Sequence, residues 1–162
     1  MPTPTPQRAG RKAKPGARFL SEVLADNIRE RRVLRRFSQQ QLADRMEYFG
    51  HRWVRATVSE VERGNRTVTV DELLSLAVVL GVRIPDLLDP AGIEGTRTDD
   101  LELGPEWTLA ASNASEWVHG LGLIPTLGWD DERKTGGVNF EGDDPRDLPR
   151  WAQAQRDRRS AR

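Results

Sequence analysis

The chain contains no cysteine among its 162 residues, which removes disulfide frameworks, thiolate metal sites and cysteine nucleophiles together. Long apolar runs are also missing. The longest, LLSLAVVLGV at 73–82, falls well short of the roughly 20 residues that a membrane span needs. The N-terminus MPTPTPQRAGRKAKPGAR carries positive charge but no apolar segment of the kind a secretory signal requires. These deficits give the expectation of a soluble, cytoplasmic protein with no membrane association. Catalytic constellations are equally scarce. There are two histidines, His51 and His119, no glycine-rich phosphate loop and no nucleophile motif, so neither an enzyme nor a cofactor is expected. The acids Asp130, Asp131, Glu132, Asp143 and Asp144 lack calcium-loop spacing and fall among Gly and Pro, which reads as a solvated linker and not a metal site. Apolar residues make up 36% of the chain, enough for one modest core.

A net charge of zero conceals segregation. Residues 1–36 carry ten Lys/Arg against three Asp/Glu, whereas residues 91–149 carry four against thirteen. A basic front and an acidic back are compatible with a nucleic-acid module followed by a tail. Arginine outnumbers lysine 22 to 3, which suits bidentate phosphate contacts and equally a GC-rich genome.

Three segments follow. Residues 1–17, with four prolines and two glycines, cannot bury enough apolar surface to offset their ordering entropy and are expected to form a disordered basic arm. Residues 18–90 are periodic and should fold. Residues 91–162 form an acidic extension, poorly structured apart from about one helix.

Local chemistry bounds the helices. Phe19, Leu20, Val23, Leu24 and Ile28 recur at helical spacing, placing a first helix at about 19–35 with an arginine-rich outer face. Ser38-Gln39-Gln40-Gln41 is a capping box that opens a second. A short helix over 54–63 stops at Gly64. Thr69 to Glu72 is another capping box, starting a helix that runs through Leu80 to Gly81, and Ile84 to Leu88 makes a fifth with Pro85 early in it. In the extension, Trp107, Ala110, Ala111, Ala114, Trp117, Val118 and Leu121 share a helical stripe, giving a helix of about 106–119 whose apolar side must be covered by the folded domain, a second subunit or a partner. The basic end from Leu148 is compatible with a helical tail.

The series IRERR (28–32), FSQQQLADRM (37–46), TVSEVERGNR (57–66) and VDELLSLAVVLGVRIPDLL (70–88) resembles the lambda-repressor-like, XRE/Cro-type helix-turn-helix family of DNA-binding proteins. The resemblance implies an all-α, five-helix domain in which the helix at 54–63 enters the major groove of duplex DNA. One departure is EYFGHRW at 47–53, where the family has a tighter turn.

On that third helix, at about 100° per residue, Val54, Val58 and Val61 share one side, Glu62 borders it, and Ala56, Ser59, Glu60 and Arg63 lie opposite. Glu62 therefore leans toward the core, where a carboxylate needs a partner, and the resemblance supplies Arg32 for a structural ion pair. The resemblance implies base reading by Arg55, Ala56 and Glu60. Chemically, Arg55 suits guanine, Ala56 and the Thr57 methyl suit thymine, and Glu60 can accept from the cytosine amino group. Gln39, Ser59, Arg63, Asn65 and Arg66 are the expected phosphate contacts. The expected function is a sequence-specific transcriptional regulator, a repressor that binds an inverted repeat as a homodimer. The alternative is an antitoxin-type protein of the same fold whose extension binds a protein partner.

Overall fold

The structure is a computed structural model and describes residues 12–104, 107–121, 124–130 and 135–141, the last two segments by their backbone. Residues 8 and 11 of the arm, the acids at 131, 132, 143 and 144, and the basic end from 148 lie outside the described residues.

Five helices follow a short strand: β1 (Ala17–Phe19), α1 (Leu20–Leu34), α2 (Gln39–Tyr48), α3 (Arg55–Glu62), α4 (Val70–Leu80) and α5 (Ile84–Leu88). Each boundary has a local cause. At α2 the Gln41 amide donates to Ser38 Oγ at 3.1 Å while the Ser38 amide donates to Gln41 Oε1 at 2.8 Å, so two orphan donors are satisfied reciprocally. Thr69 and Glu72 do the same for α4 at 3.2 and 2.9 Å. The end of α4 falls at Gly81, whose φ of 62° is the left-handed conformation that glycine adopts without a Cβ penalty. The exit from α1 uses the same geometry without a glycine: Arg36 has φ 57°, and the Phe37 and Arg36 amides donate to the Arg32 and Val33 carbonyls.

The core draws on all five helices. Ile28, Leu42, Met46, Trp53, Val58, Val61, Leu76, Leu80 and Leu87 are buried together, each large apolar side chain contributing about 1.5–3 kcal/mol through removal from water. The long connection at 47–53 is part of this core. It turns through Gly50 at φ 85°, inserts Trp53 at 2% exposure, and is tied to α4 by His51 Nε2 and Ser75 Oγ at 2.8 Å and by Trp53 Nε1, which donates to Glu72 Oε1 at 2.7 Å. The connection thus adds an aromatic residue to the core, held to α4.

The extension departs most from expectation. β2 (Asp100–Glu102) pairs in parallel with β1 and antiparallel with β3 (Thr108–Leu109), giving a three-stranded sheet in the order β1-β2-β3. The arm, expected to lack structure through residue 17, is therefore held at its end: Ala17 pairs with Asp100, and the Lys14 amide donates to Glu102 Oε2 at 3.0 Å. Helix α6 spans Ala111–Val118, shorter than the expected 106–119, because Thr108 and Leu109 take their backbone partners from β2. Its stripe is divided. Ala111, Ala114 and Leu121 are buried, with Ala114 packed among Val23 of α1, Leu101 and Leu109, whereas Trp107 and Trp117 remain 40% exposed. The cover for its buried side is Val23 of the helical domain together with Leu101 of β2 and Leu109 of β3. Two polar contacts add to that docking: buried Asn27 donates to the Leu87 and Asp89 carbonyls and accepts from Arg97 Nη1, and His119 Nε2 lies 2.9 Å from Asp89 Oδ2. Part of the acidic, glycine-containing stretch expected as a linker is strand. β4 (Ile124–Asp130) pairs antiparallel with β5 (Thr135–Glu141), in a register that sets Leu127 opposite Val138. The architecture stays mainly helical, and no helix among the described residues is long and apolar enough to cross a membrane.

Candidate nucleic-acid interface

Helix α3 presents one face to the core and one to solvent. Val58 and Val61 are buried, while Arg55, Ala56 and Arg63 are exposed and Thr57, Ser59 and Glu60 are half-buried. The N-terminal end of α3 is set by Thr57, whose Oγ1 accepts from the Val54 amide at 3.3 Å. That hydroxyl is thereby committed to capping, and the methyl remains as its candidate contact with a thymine.

Glu62 anchors the other end. Arg32 Nε donates to Glu62 Oε1 at 2.5 Å and Arg32 Nη2 to Oε2 at 3.0 Å, a bidentate fork, while Arg32 Nη1 donates to the Phe37 carbonyl at 2.7 Å. Both side chains are largely shielded, at 13% and 5% exposure. Gln39 Nε2 donates to the same Glu62 Oε2 at 2.9 Å, so the carboxylate joins α1, α2 and α3 in one network. A shielded carboxylate with three donors holds the tilt of α3 against its neighbours.

Glu60 is placed on the opposite side, where Arg63 Nη1 donates to its Oε1 at 3.1 Å. This exposed pair is worth under about 1 kcal/mol and can open for a better partner. Around it, Gln39, Arg55, Ala56, Ser59, Glu60 and Arg63 line one shallow depression of about 320 Å³ between the start of α2 and the outer face of α3. Most of the residues expected at DNA thus lie together. Asn65 is exposed beyond α3, and its amide donates to the Glu60 carbonyl at 2.9 Å.

Arg66 differs from Arg63 in having a shielded partner. Expected along the DNA strand, it turns inward: Nη2 donates to Glu72 Oε1 at 2.7 Å, and the guanidinium sits 5.3 Å from the centre of the Trp53 ring. Glu72 is 6% exposed, so its charge needs a nearby cation, and Arg66 is the one that serves it. Burial pushes the Glu72 carboxyl upward, but hydrogen bonds from Arg66, the Thr69 amide and Trp53, with the Arg66 charge, outweigh it and lower the group to about 2.

Arg29 is the residue that sequence reasoning passed over. It lines a second depression on the same side of the domain, together with Arg32, Gln39, Arg55, Ser59, Glu62 and Arg63. The available signal was its position one helical turn before Arg32, on the arginine-rich face of α1.

Known proteins resemble the helical part of the chain. A helix-turn-helix family model matches residues 28–87. Control protein C.SmaI of Serratia marcescens is 37% identical over 75 residues, covering 46% of this chain and 83% of that protein. Among solved structures, the hypothetical transcription factor NHTF from Neisseria is 35% identical, covering 43% of this chain and 74% of that one with a TM-score of 0.38. The restriction-modification controller protein C.AhdI from Aeromonas hydrophila is 30% identical, covering 41% and 94% with a TM-score of 0.37. The matched segment runs from the middle of α1 into α5 and stops before the extension. The chain belongs to the XRE-type helix-turn-helix family of DNA-binding transcriptional regulators.

Proposed function

We propose that the chain is a cytoplasmic repressor that binds an inverted repeat in duplex DNA as a homodimer, with α3 in the major groove. The observation that carries this reading is the division of labour between the two acids of α3: Glu62 is consumed inside by Arg32 and Gln39, which frees the outer face with Arg55, Ala56, Thr57 and Glu60 for base edges. Gln39, Ser59, Arg63 and Asn65 serve the backbone phosphates, and Arg66 braces the domain from within. Residues 18–90 form the DNA-binding unit, and the extension from 91 onward supports it.

Dimerisation supplies the symmetry that an inverted repeat requires. The surface best suited to a second copy is the outer face of α4, where Val70, Leu74 and Val78 stand at i, i+4 and i+8 with 82%, 55% and 60% exposure. An uncharged stripe on a single helix is self-complementary about a two-fold axis. Selection from a random duplex pool tests the whole reading. Two half-sites of opposite orientation are expected, their centres separated by about 34 Å or a multiple of it. Enrichment of single half-sites, or none at all, would overturn it. Lower expression from a reporter carrying the selected site would establish repression.

The exposure of Trp107 and Trp117 favours a second reading, an antitoxin-type role in which the extension binds a protein partner. A toxin gene adjoining this one, together with weak duplex binding, would support it over the first.

A further inference from the structure

The depression between α1 and α3 holds more cationic charge than the groove-reading residues require. Arg29 and Arg32 of α1 meet Arg55, Glu62 and Arg63 of α3 there. The carboxylate of Glu62 is already taken by Arg32 and Gln39, and Arg63 has only the exposed pair with Glu60. The side chains of Arg29 and Arg55 have no hydrogen-bond or ion-pair partner among the described residues. The acids nearest to Arg29 along α1 are engaged elsewhere, Asp26 by Arg18 at 2.5 Å and Glu30 by Arg97. Like charges gathered around one concavity repel, and an anion placed among them relieves that repulsion. Guanidinium forks match the oxygens of a phosphate.

We propose that Arg29 is a DNA-contacting residue, gripping with Arg63 one phosphodiester of the duplex backbone in the depression between α1 and α3. This inference rests on the reading of α3 as the groove helix and extends the phosphate grip to the first helix. Arg55, at the rim of the same depression, adds positive potential. The contact carries no sequence information. It fixes how far α3 sits in the groove, because α1 is locked to α3 through Arg32 and Glu62.

The test is a salt titration of duplex binding with the full chain, its Arg29→Gln variant and its Arg29→Lys variant, on a selected duplex and on a scrambled one. For Arg29→Gln, the slope of log affinity against log salt should become shallower by about 0.9, the signature of one lost phosphate contact. Affinity should fall by similar factors on both duplexes, with an unchanged base-preference profile and melting temperature. Arg29→Lys should retain the wild-type slope. An unchanged slope in Arg29→Gln overturns the proposal, as does a loss confined to the selected duplex, which would make Arg29 a base reader. Thermal stabilisation of the DNA-free chain by inorganic phosphate, lost in Arg29→Gln while the duplex slope stays intact, would assign the site to a free anion and overturn the backbone contact. If the wild-type chain binds duplex with a steep salt dependence and Arg29→Gln matches it, only this inference fails. If the wild-type chain binds no duplex in low salt, the proposed function fails with it.

Discussion

Arg66 and Glu72 pair through Arg66 Nη2 and Glu72 Oε1 at 2.7 Å, with the guanidinium over Trp53 and the Trp53 indole donating to the same carboxylate oxygen. An arginine that follows α3 in sequence is thereby used to hold the lengthened α2–α3 connection onto the start of α4. The consequence is a joint whose carboxylate must stay ionised to hold its partners.

The Glu72 carboxyl stands at about 2 in the fold against an ordinary value of 4.5. A depressed carboxylate contributes stability that is present above its unfolded value and lost as pH falls through the folded one. The contribution is on the order of 3 kcal/mol, disappearing between about pH 4.5 and pH 2. Denaturant unfolding over this range should show the loss, and Glu72→Gln should flatten it while lowering stability at neutral pH. Equal pH dependence in the two proteins would show that Glu72 does not govern acid unfolding.

The two acids of α3 should respond differently to substitution. Glu62→Ala strands the shielded Arg32 and should cost roughly 3–5 kcal/mol. Glu60→Gln breaks only an exposed pair and should change stability by less than about 1 kcal/mol, while altering discrimination at one base pair per half-site by about 1–3 kcal/mol. Melting curves and base-by-base binding profiles read both. If Glu60→Gln strengthens binding equally on all sequences, Glu60 is a solvated bystander.

Arg36→Gly should stabilise the domain by up to about 1 kcal/mol, because it relieves a left-handed residue at φ 57° at the exit of α1, a position that favours glycine. Gly81→Ala should do the reverse. Its φ is 62°, and a Cβ there would lie 2.2 Å from Arg35 Nη2, whose guanidinium donates to the carbonyls of Leu80 and Gly81 at the end of α4. Urea midpoints of the two variants, measured without DNA, should shift in opposite directions. A lower midpoint for Arg36→Gly would mean that the arginine side chain offsets its own backbone strain.

Leu74→Glu should weaken dimerisation by at least about tenfold, since a residue on a two-fold interface is altered twice and a charge would be buried against its own copy. Sedimentation across a concentration series checks this, and circular dichroism should show the monomer still folded because Leu74 is 55% exposed. Unchanged self-association would move the interface away from α4.

The features legible in the sequence are those whose causes lie within a few residues. The capping boxes at Ser38 and Thr69, the glycine exit at 81 and the helical spacing of Leu42, Met46, Val58, Val61, Leu76 and Leu80 are local. Among the described residues, α1, α3, α4 and α5 accordingly begin and end within a residue or two of expectation, and α2 begins where its capping box sets it. The inward lean of Glu62 toward Arg32 was also accessible, because helical geometry places a residue on a face and the family resemblance supplied its partner.

Tertiary structure decided the rest, because those features depend on which distant groups compete for the same partner. Arg66 looks like any exposed cation after a recognition helix until Trp53 and Glu72 are brought beneath it. Asn27 reads as an ordinary polar residue of α1, yet burial makes it satisfy the carbonyls of residues 87 and 89 and the guanidinium of Arg97. The parallel pairing of Ala17–Phe19 with Asp100–Glu102 joins segments 83 residues apart, which no local pattern encodes. Arg29 likewise carries the same charge as its neighbours on α1, and only the packing of α1 against α3 sets it in one depression with Arg63 at the candidate DNA surface.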